Sequence, residues 1–288
     1  MKAIVFLGGG RITSALVAGL RLAKSDYRIV VHDRHFKKLQ QLKRLYGIII
    51  ETDLRRAVQS ARILIVAVRP DSLRELLQEI RAKHKRRQLT AVSLAAGVPL
   101  FSLQSGLPPP VRWVRAMPSP VCRNGQGLTA LTFGRGVSAA GRAEVRDLFA
   151  LVGAVVEIPE KQFDAFTVAY STSHGYHALA ALVAAAEALG LNRKTARLAA
   201  AHALVDGIAA WRTGNLPLTK FLEAAVTPGG IAAAVIASLD GARYQRIVAQ
   251  GLRAGIRQAR KNRPTILSGA PYQGTSRPHR RHERRRER

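Results

Sequence analysis

The chain has 288 residues, 47% of them hydrophobic and 22% charged, a globular composition with length for one large domain or two smaller ones, which excludes a stapled mini-scaffold and a chain disordered throughout. Lys and Arg number 46 against 18 Asp and Glu, a formal +28, and a balance that basic raises nucleic acid or an anionic membrane surface as partners. The excess is diffuse, however: from Arg253 onward there are 12 Lys or Arg and two Glu, and the remainder is scattered through periodic segments, so the charge alone names no partner.

The opening MKAIVFLGGG carries only six apolar residues before glycine, too short for a signal core or a membrane span. The first half then alternates short β-branched runs with amphipathic stretches. Strands are expected at Ala3–Leu7, Arg28–His32, Ile48–Glu51, Ile63–Val68, Thr90–Leu94, Trp113–Ala116, Leu128–Thr132 and Val155–Glu157. Helical spacing falls between them, at Arg11–Leu22, His35–Tyr46, Leu54–Ser60, Asp71–Lys83 and Ser138–Leu151. That alternation predicts an α/β fold, a doubly wound parallel sheet over residues 1–159. From residue 160 the composition turns rich in Ala and Leu at helical spacing, with helices expected at Lys161–Leu189, Arg193–Thr213, Thr219–Ala225, Gly230–Leu239 and Ala242–Arg260. Small residues such as Ala178–Ala181 and Ala184–Ala186 permit close packing, and helices apolar on several faces need a partner surface. The segment 160–263 is therefore expected to be an all-α dimerisation and substrate domain, and 264–288 a disordered basic tail. The single cysteine, Cys122, can form neither an internal disulfide nor a zinc site, which suits the cytoplasm, and no metal is expected.

Gly8, Gly9 and Gly10 follow the first strand and open the first helix with Arg11, Ile12 and Thr13. Gly8 allows a tight turn, Gly10 lets the backbone approach a pyrophosphate, and the helix start offers that anion free N–H groups and a positive dipole end. Thr13 takes the third glycine position, where a small residue is needed for helix–strand packing. At the end of the second strand Asp33 suits a ribose hydroxyl and so NAD, whereas Arg34 and Lys37 suit the phosphate of NADP; the three nearby cations tilt the reading to NADP and leave NAD open. Ala67, Val68, Arg69 and Pro70, with Ala95 and Ala96, fall where open α/β sheets place ligands, and their small residues leave room for a nicotinamide ribose.

The ordered motifs Phe6–Gly10, Ala67–Pro70, Ser93-Leu94-Ala95-Ala96-Gly97-Val98, Arg115–Pro118, Gly125–Gly127, Asp164–Thr167 and Val226–Gly230 resemble those of the pyrroline-5-carboxylate reductases, over residues 1 to about 260. The resemblance implies NADPH-dependent reduction of a cyclic imine carboxylate to proline, a helical dimerisation domain and a site shared between subunits. It adds Leu94, Met117 and Ser119 to the cofactor contacts. Departures fall on chemical positions. Ser119 stands where the family has Asn, Tyr170–Tyr176 loses two of the family's glycines, and Ile231 and Ala232 replace a hydroxyl pair.

Imine reduction needs the substrate carboxylate fixed, the nitrogen protonated or polarised, and the carbon held against the nicotinamide. The carboxylate can meet hydroxyls of Ser171, Thr172, Ser173 and Thr227 and the free N–H groups at Gly229 and Gly230. His174 is a candidate proton donor; His177, three residues on, shares its helix face, and its bland role is packing or solvent contact. The reading is an NADP-dependent imine reductase acting on a small molecule as a homodimer or larger homo-oligomer. The alternatives are a reductase of another cyclic imine or keto acid, which the apolar Ile231 and Ala232 would suit, and a catalytically silent cofactor-binding regulator. A membrane is not expected as a partner, and neither is nucleic acid, because the basic tail offers one tyrosine, Tyr272, and no array of stacking aromatics.

Overall fold

The structure, a computed structural model, describes residues 3–83 and 88–262. Its strands are β1 (Ala3–Leu7), β2 (Arg28–His32), β3 (Ile49–Ile50), β4 (Ile63–Val66), β5 (Leu89–Ser93), β6 (Val111–Met117), β7 (Gly127–Phe133) and β8 (Gly153–Glu157). They form one sheet in the order β3-β2-β1-β4-β5-β6-β7-β8. The order reverses beside β1, where a doubly wound sheet opens a crevice at its carboxyl edge.

The strands alternate faces with a period of two. Ile4 and Phe6 of β1 pack with Leu16 and Leu20 of α1 (Arg11–Leu22) and with Leu148 and Phe149 of α6 (Ala139–Ala150). Val5 and Leu7 face the other way, onto Val58 of α3 (Leu54–Ser60), Leu73 and Leu77 of α4 (Pro70–Lys83) and Leu103 of α5 (Leu100–Gly106). Both faces of β1 and β4 are buried, as a sheet covered by helices on each side requires.

Three features depart from the sequence reading. The sheet is not wholly parallel: β6 and β7 run antiparallel, because the link over residues 118–126 is shorter than the dozen or more residues a parallel crossover needs. That link holds a 3-10 helix at Pro120–Asn124, which the periodicity did not reveal, and α5 was likewise missed. The long helix expected over Lys161–Leu189 is two helices, α7 (Glu160–Ala169) and α8 (Thr172–Ala188). Ser171, in extended backbone, caps α8 by accepting from the N–H of Ser173, and hydroxyl residues at such a break compete with helix continuation.

Beyond α8 lie α9 (Arg193–Thr213), α10 (Leu218–Ala225), α11 (Ile231–Gly241) and α12 (Tyr244–Lys261). The C-terminal end of α12 returns to the sheet, where Ala259 closes on Gly97. α8, α10 and α11 bury no residue at all, although they carry Leu182, Leu222, Ile231 and Val235, each exposed. Cys122 is fully buried where the 3-10 helix lies on Gly19 of α1, and burial pushes its thiol up to about 12. The expected tail at 264–288 lies outside the described residues.

Candidate active site

Parallel pairing aligns the carboxyl ends of four strands. Leu7 is in register with His32 and with Val66, and Val66 with Ser93. The turns that follow, at Gly8–Gly10, Asp33–Arg34, Ala67–Arg69 and Leu94–Gly97, therefore share one edge. Main-chain bonds fix them there: the N–H of Gly8 donates to His32 O at 2.8 Å, that of Ala67 to Leu7 O at 2.8 Å, and that of Leu94 to Val66 O at 3.0 Å.

Gly8 has φ +107°, and a Cβ there would stand 2.8 Å from the carbonyl oxygen of Ala67. Gly10 starts α1 at φ −79° with no side-chain cap, and a Cβ there would meet nothing within 4 Å. The first turn of α1 holds no acidic residue, and its N–H groups lack carbonyls one turn back, so an anion is the natural partner. Thr13 is buried, its hydroxyl donating to Gly8 O, which leaves only its main chain for a ligand.

Asp33 is nine-tenths covered. Its Oδ2 accepts from the N–H of Gly9 at 2.7 Å, and its Oδ1 from the N–H of His35 at 2.7 Å, with His35 Nδ1 at 3.0 Å. Burial pushes its carboxyl up, but the bonds from Gly9 and His35 and the charge of Lys38 outweigh it, and the net shift is downward. With three of about four acceptor positions occupied, Asp33 braces the glycine turn more than it awaits a ribose. Arg34 is exposed and pairs with Glu75 of α4 at 3.0 Å.

Farther along the edge, β6 delivers Met117, Pro118 and Ser119. Ser119 is buried; its Oγ accepts from the N–H of Val121 at 3.3 Å and from the Tyr170 hydroxyl at 3.1 Å, and that hydroxyl in turn accepts from the N–H of Leu128 at 2.8 Å. Tyr170 ends α7, so this contact ties the chain just before Ser171, Thr172, Ser173 and His174 to the residues that follow β6. The ring of His174 lies 2.7 Å from Val168 O through Nε2. A carbonyl can only accept, so Nε2 carries the proton and Nδ1 is the nitrogen left for other chemistry.

The other end of α7 is fixed by Arg115, which sequence reasoning placed only within a motif. Its guanidinium is buried on β6, donates at 2.9 Å to Glu160 and at 2.9 Å to Asp164, and lies 4.1 Å over the Phe163 ring. An arginine inside an apolar strand, answered by acids four apart on one helix, was the available signal. Thr227, Gly229 and Gly230 form the turn into α11, with Gly229 at φ +73°. Among the described residues no hydrogen bond or ion pair ties this turn to the sheet edge or to Ser171–His174.

A glycine turn feeding an uncapped helix at the switch point of a mostly parallel sheet, followed by helices with uncovered apolar faces, defines a Rossmann-type, dinucleotide-dependent oxidoreductase that assembles with copies of itself. Residues 3–97 match the family described as NADP oxidoreductase, coenzyme F420-dependent, and residues 160–262 match the pyrroline-5-carboxylate reductase dimerisation family. The pyrroline-5-carboxylate reductase of Corynebacterium melassecola is 33% identical over 247 residues, covering 83% of this chain and 91% of that protein. The enzyme of the same name from Mycobacterium tuberculosis is 31% identical over 279 residues, covering 88% and 94%. A crystal structure of Plasmodium falciparum pyrroline carboxylate reductase with NADP bound shares the fold, with TM-score 0.81 at 20% identity over 91% of this chain and 98% of the other. The chain belongs to the pyrroline-5-carboxylate reductase family.

Proposed function

We propose that the chain reduces 1-pyrroline-5-carboxylate to L-proline with NAD(P)H, by hydride transfer to the C=N bond. The observation that carries this reading is the family match across both halves, 33% identity over nine-tenths of a named reductase. The residues fit the cofactor: the open space at Gly10 accepts a pyrophosphate, and the positive φ of Gly8 keeps the turn flat against Ala67. NADPH is the preferred donor, supported by Arg34 and Lys38 exposed beside a covered Asp33. When bound, the cofactor supplies the hydride from its nicotinamide ring.

The chain's own part is binding and positioning. N–H groups of Arg11, Ile12 and Thr13 hold the pyrophosphate, while Ala67, Val68, Arg69 and Pro70 and the segment Leu94–Ala96 flank the nicotinamide ribose. Met117 and Ser119 border the nicotinamide. Ser171, Thr172 and Ser173 offer hydroxyls to the substrate, and His174, when both ring nitrogens are protonated, passes its Nδ1 proton to the imine nitrogen while Nε2–H stays on Val168 O. Thr227, Gly229 and Gly230 hold the substrate carboxylate at the start of α11, and a second copy brings them to the sheet edge. The working unit is thus a homodimer built on residues 160–263, with residues 1–159 as the cofactor half. The unpaired Cys122 supports a cytoplasmic setting.

A second reading, reduction of a more apolar cyclic imine or a keto acid, is favoured by Ile231, 87% exposed at the substrate helix start. The test is NADPH consumption by the purified chain with pyrroline-5-carboxylate, beside an Ile231→Thr, Ala232→Thr variant and a panel of other imines. Proline formed in step with NADPH consumed supports the first reading. Turnover of pyrroline-5-carboxylate only by the variant supports the second, and cofactor binding without turnover of any acceptor sinks both.

A further inference from the structure

Two adjacent residues at the end of β2 have been placed in opposite situations. Asp33 is turned under the glycine turn and braced by Gly9 and His35, so little of it faces outward. Arg34 points the other way, 55% exposed, across to α4, where Glu75 lies 3.0 Å from Nη1 and Glu79 4.0 Å from Nη2. Glu75 and Glu79 are one turn apart and share a helix face, so both carboxylates converge on one guanidinium. The bridge joins the end of β2 to α4 on either side of β1 and β4, over the edge where the adenosine end of a dinucleotide must lie.

Resting on the NAD(P)H reading above, we infer that Glu75 is a specificity-determining residue that competes with the 2′-phosphate of NADP(H) for Arg34. A guanidinium fork offers a phosphate the same N–H donors it offers a carboxylate, and Glu75 already engages Nη1, so the two anions compete for it. Both members of the pair are more than half exposed, and such pairs are weak, so the exchange is easy. NADH, with a neutral hydroxyl at that position, offers no rival anion for the guanidinium. The acidic face of α4 therefore lowers the preference for NADPH that Arg34 and Lys38 alone would confer. The 2′ position is read by Arg34, with Glu75 setting the discrimination.

The experiment is fluorescence titration of NADPH and NADH, without imine, into the full chain, its Glu75→Gln and Arg34→Met variants and the double variant, at fixed ionic strength. Circular dichroism establishes that each is folded, which the exposure of both side chains favours. Glu75→Gln is expected to move the NADPH to NADH affinity ratio toward NADPH by about two- to fivefold, the range of an exposed ion pair. In the Arg34→Met background the same change is expected to leave the ratio where it is. An unmoved ratio in Glu75→Gln, or a shift that persists without Arg34, overturns the inference while leaving the cofactor reading intact. Failure of the unaltered chain to bind either nucleotide overturns that reading and this inference with it.

Discussion

Gly8 and Gly10 stand two residues apart in the same turn for different physical reasons, and substitution separates them. At Gly8 the backbone is left-handed and the Ala67 carbonyl closes the space, so Gly8→Ala strains the protein itself and should cost about 1–3 kcal/mol of stability, seen as a lowered Tm. At Gly10 the backbone suits any residue and no protein atom stands within 4 Å. Gly10→Ala should therefore keep its Tm but lose about tenfold in cofactor affinity, because the methyl enters the room left for pyrophosphate. Asp33 gives a pH signature. Its carboxyl titrates below the usual range, so the folded state favours the ionised form, and the stability it contributes is present above the unfolded carboxylate pKa and disappears as pH falls through the folded value. The stability gap between the chain and Asp33→Asn should then shrink as pH drops from about 5 to 3, measured by urea unfolding. The sequence showed an acid at Asp33 but not its bracing role, since that depends on which way the carboxylate turns.

α7 joins the two halves because each of its ends meets the sheet through buried polar contacts: Arg115 at Glu160 and Asp164, and Tyr170 at Ser119 and Leu128. Arg115→Met leaves two carboxylates facing an apolar strand, and since breaking a buried pair costs about 3–5 kcal/mol, a loss near the lower end is expected for partners that retain some exposure. The Tm should fall, and Arg115→Lys should restore only part of it, one ammonium being unable to reach both acids as the guanidinium fork does. Most helices and strands were legible from periodicity, with bounds off by a residue or two. What escaped depended on long-range contact. The break between α7 and α8 is set by Tyr170 and His174 finding partners 51 and 6 residues away, and apolar spacing runs through Lys161–Leu189 without marking it. The reversal of β7 followed from the length of the 118–126 link, a constraint visible in the sequence once both flanking strands were fixed.

At the scale of the whole molecule the two halves are stabilised differently. The sheet half has buried cores on both faces, whereas α9 shows Leu198, Val205 and Ile208, each more than half exposed, along one face. Soluble chains seldom leave such a stripe uncovered, and the dimerisation family assigned to residues 160–262 says what covers it, a second copy. Val205→Asp should yield monomers in light scattering and suppress turnover, with the cofactor-binding half still folded. The diffuse +28 matters here as a field rather than a binding stripe: NADPH association should slow as salt rises past the Debye regime of about 0.1 M, more so than for a neutral ligand. The chain also carries its own clock for distinguishing separation of subunits from collapse of the sheet. Cys122 is the one thiol in the sequence, carried on the 3-10 helix, shut against Gly19 of α1 and Gly127 of β7 and kept protonated by burial. A labelling reagent should stay blind to dissociation and respond only when the nucleotide-holding half opens, so its rate times that opening in a molecule no one has had to modify.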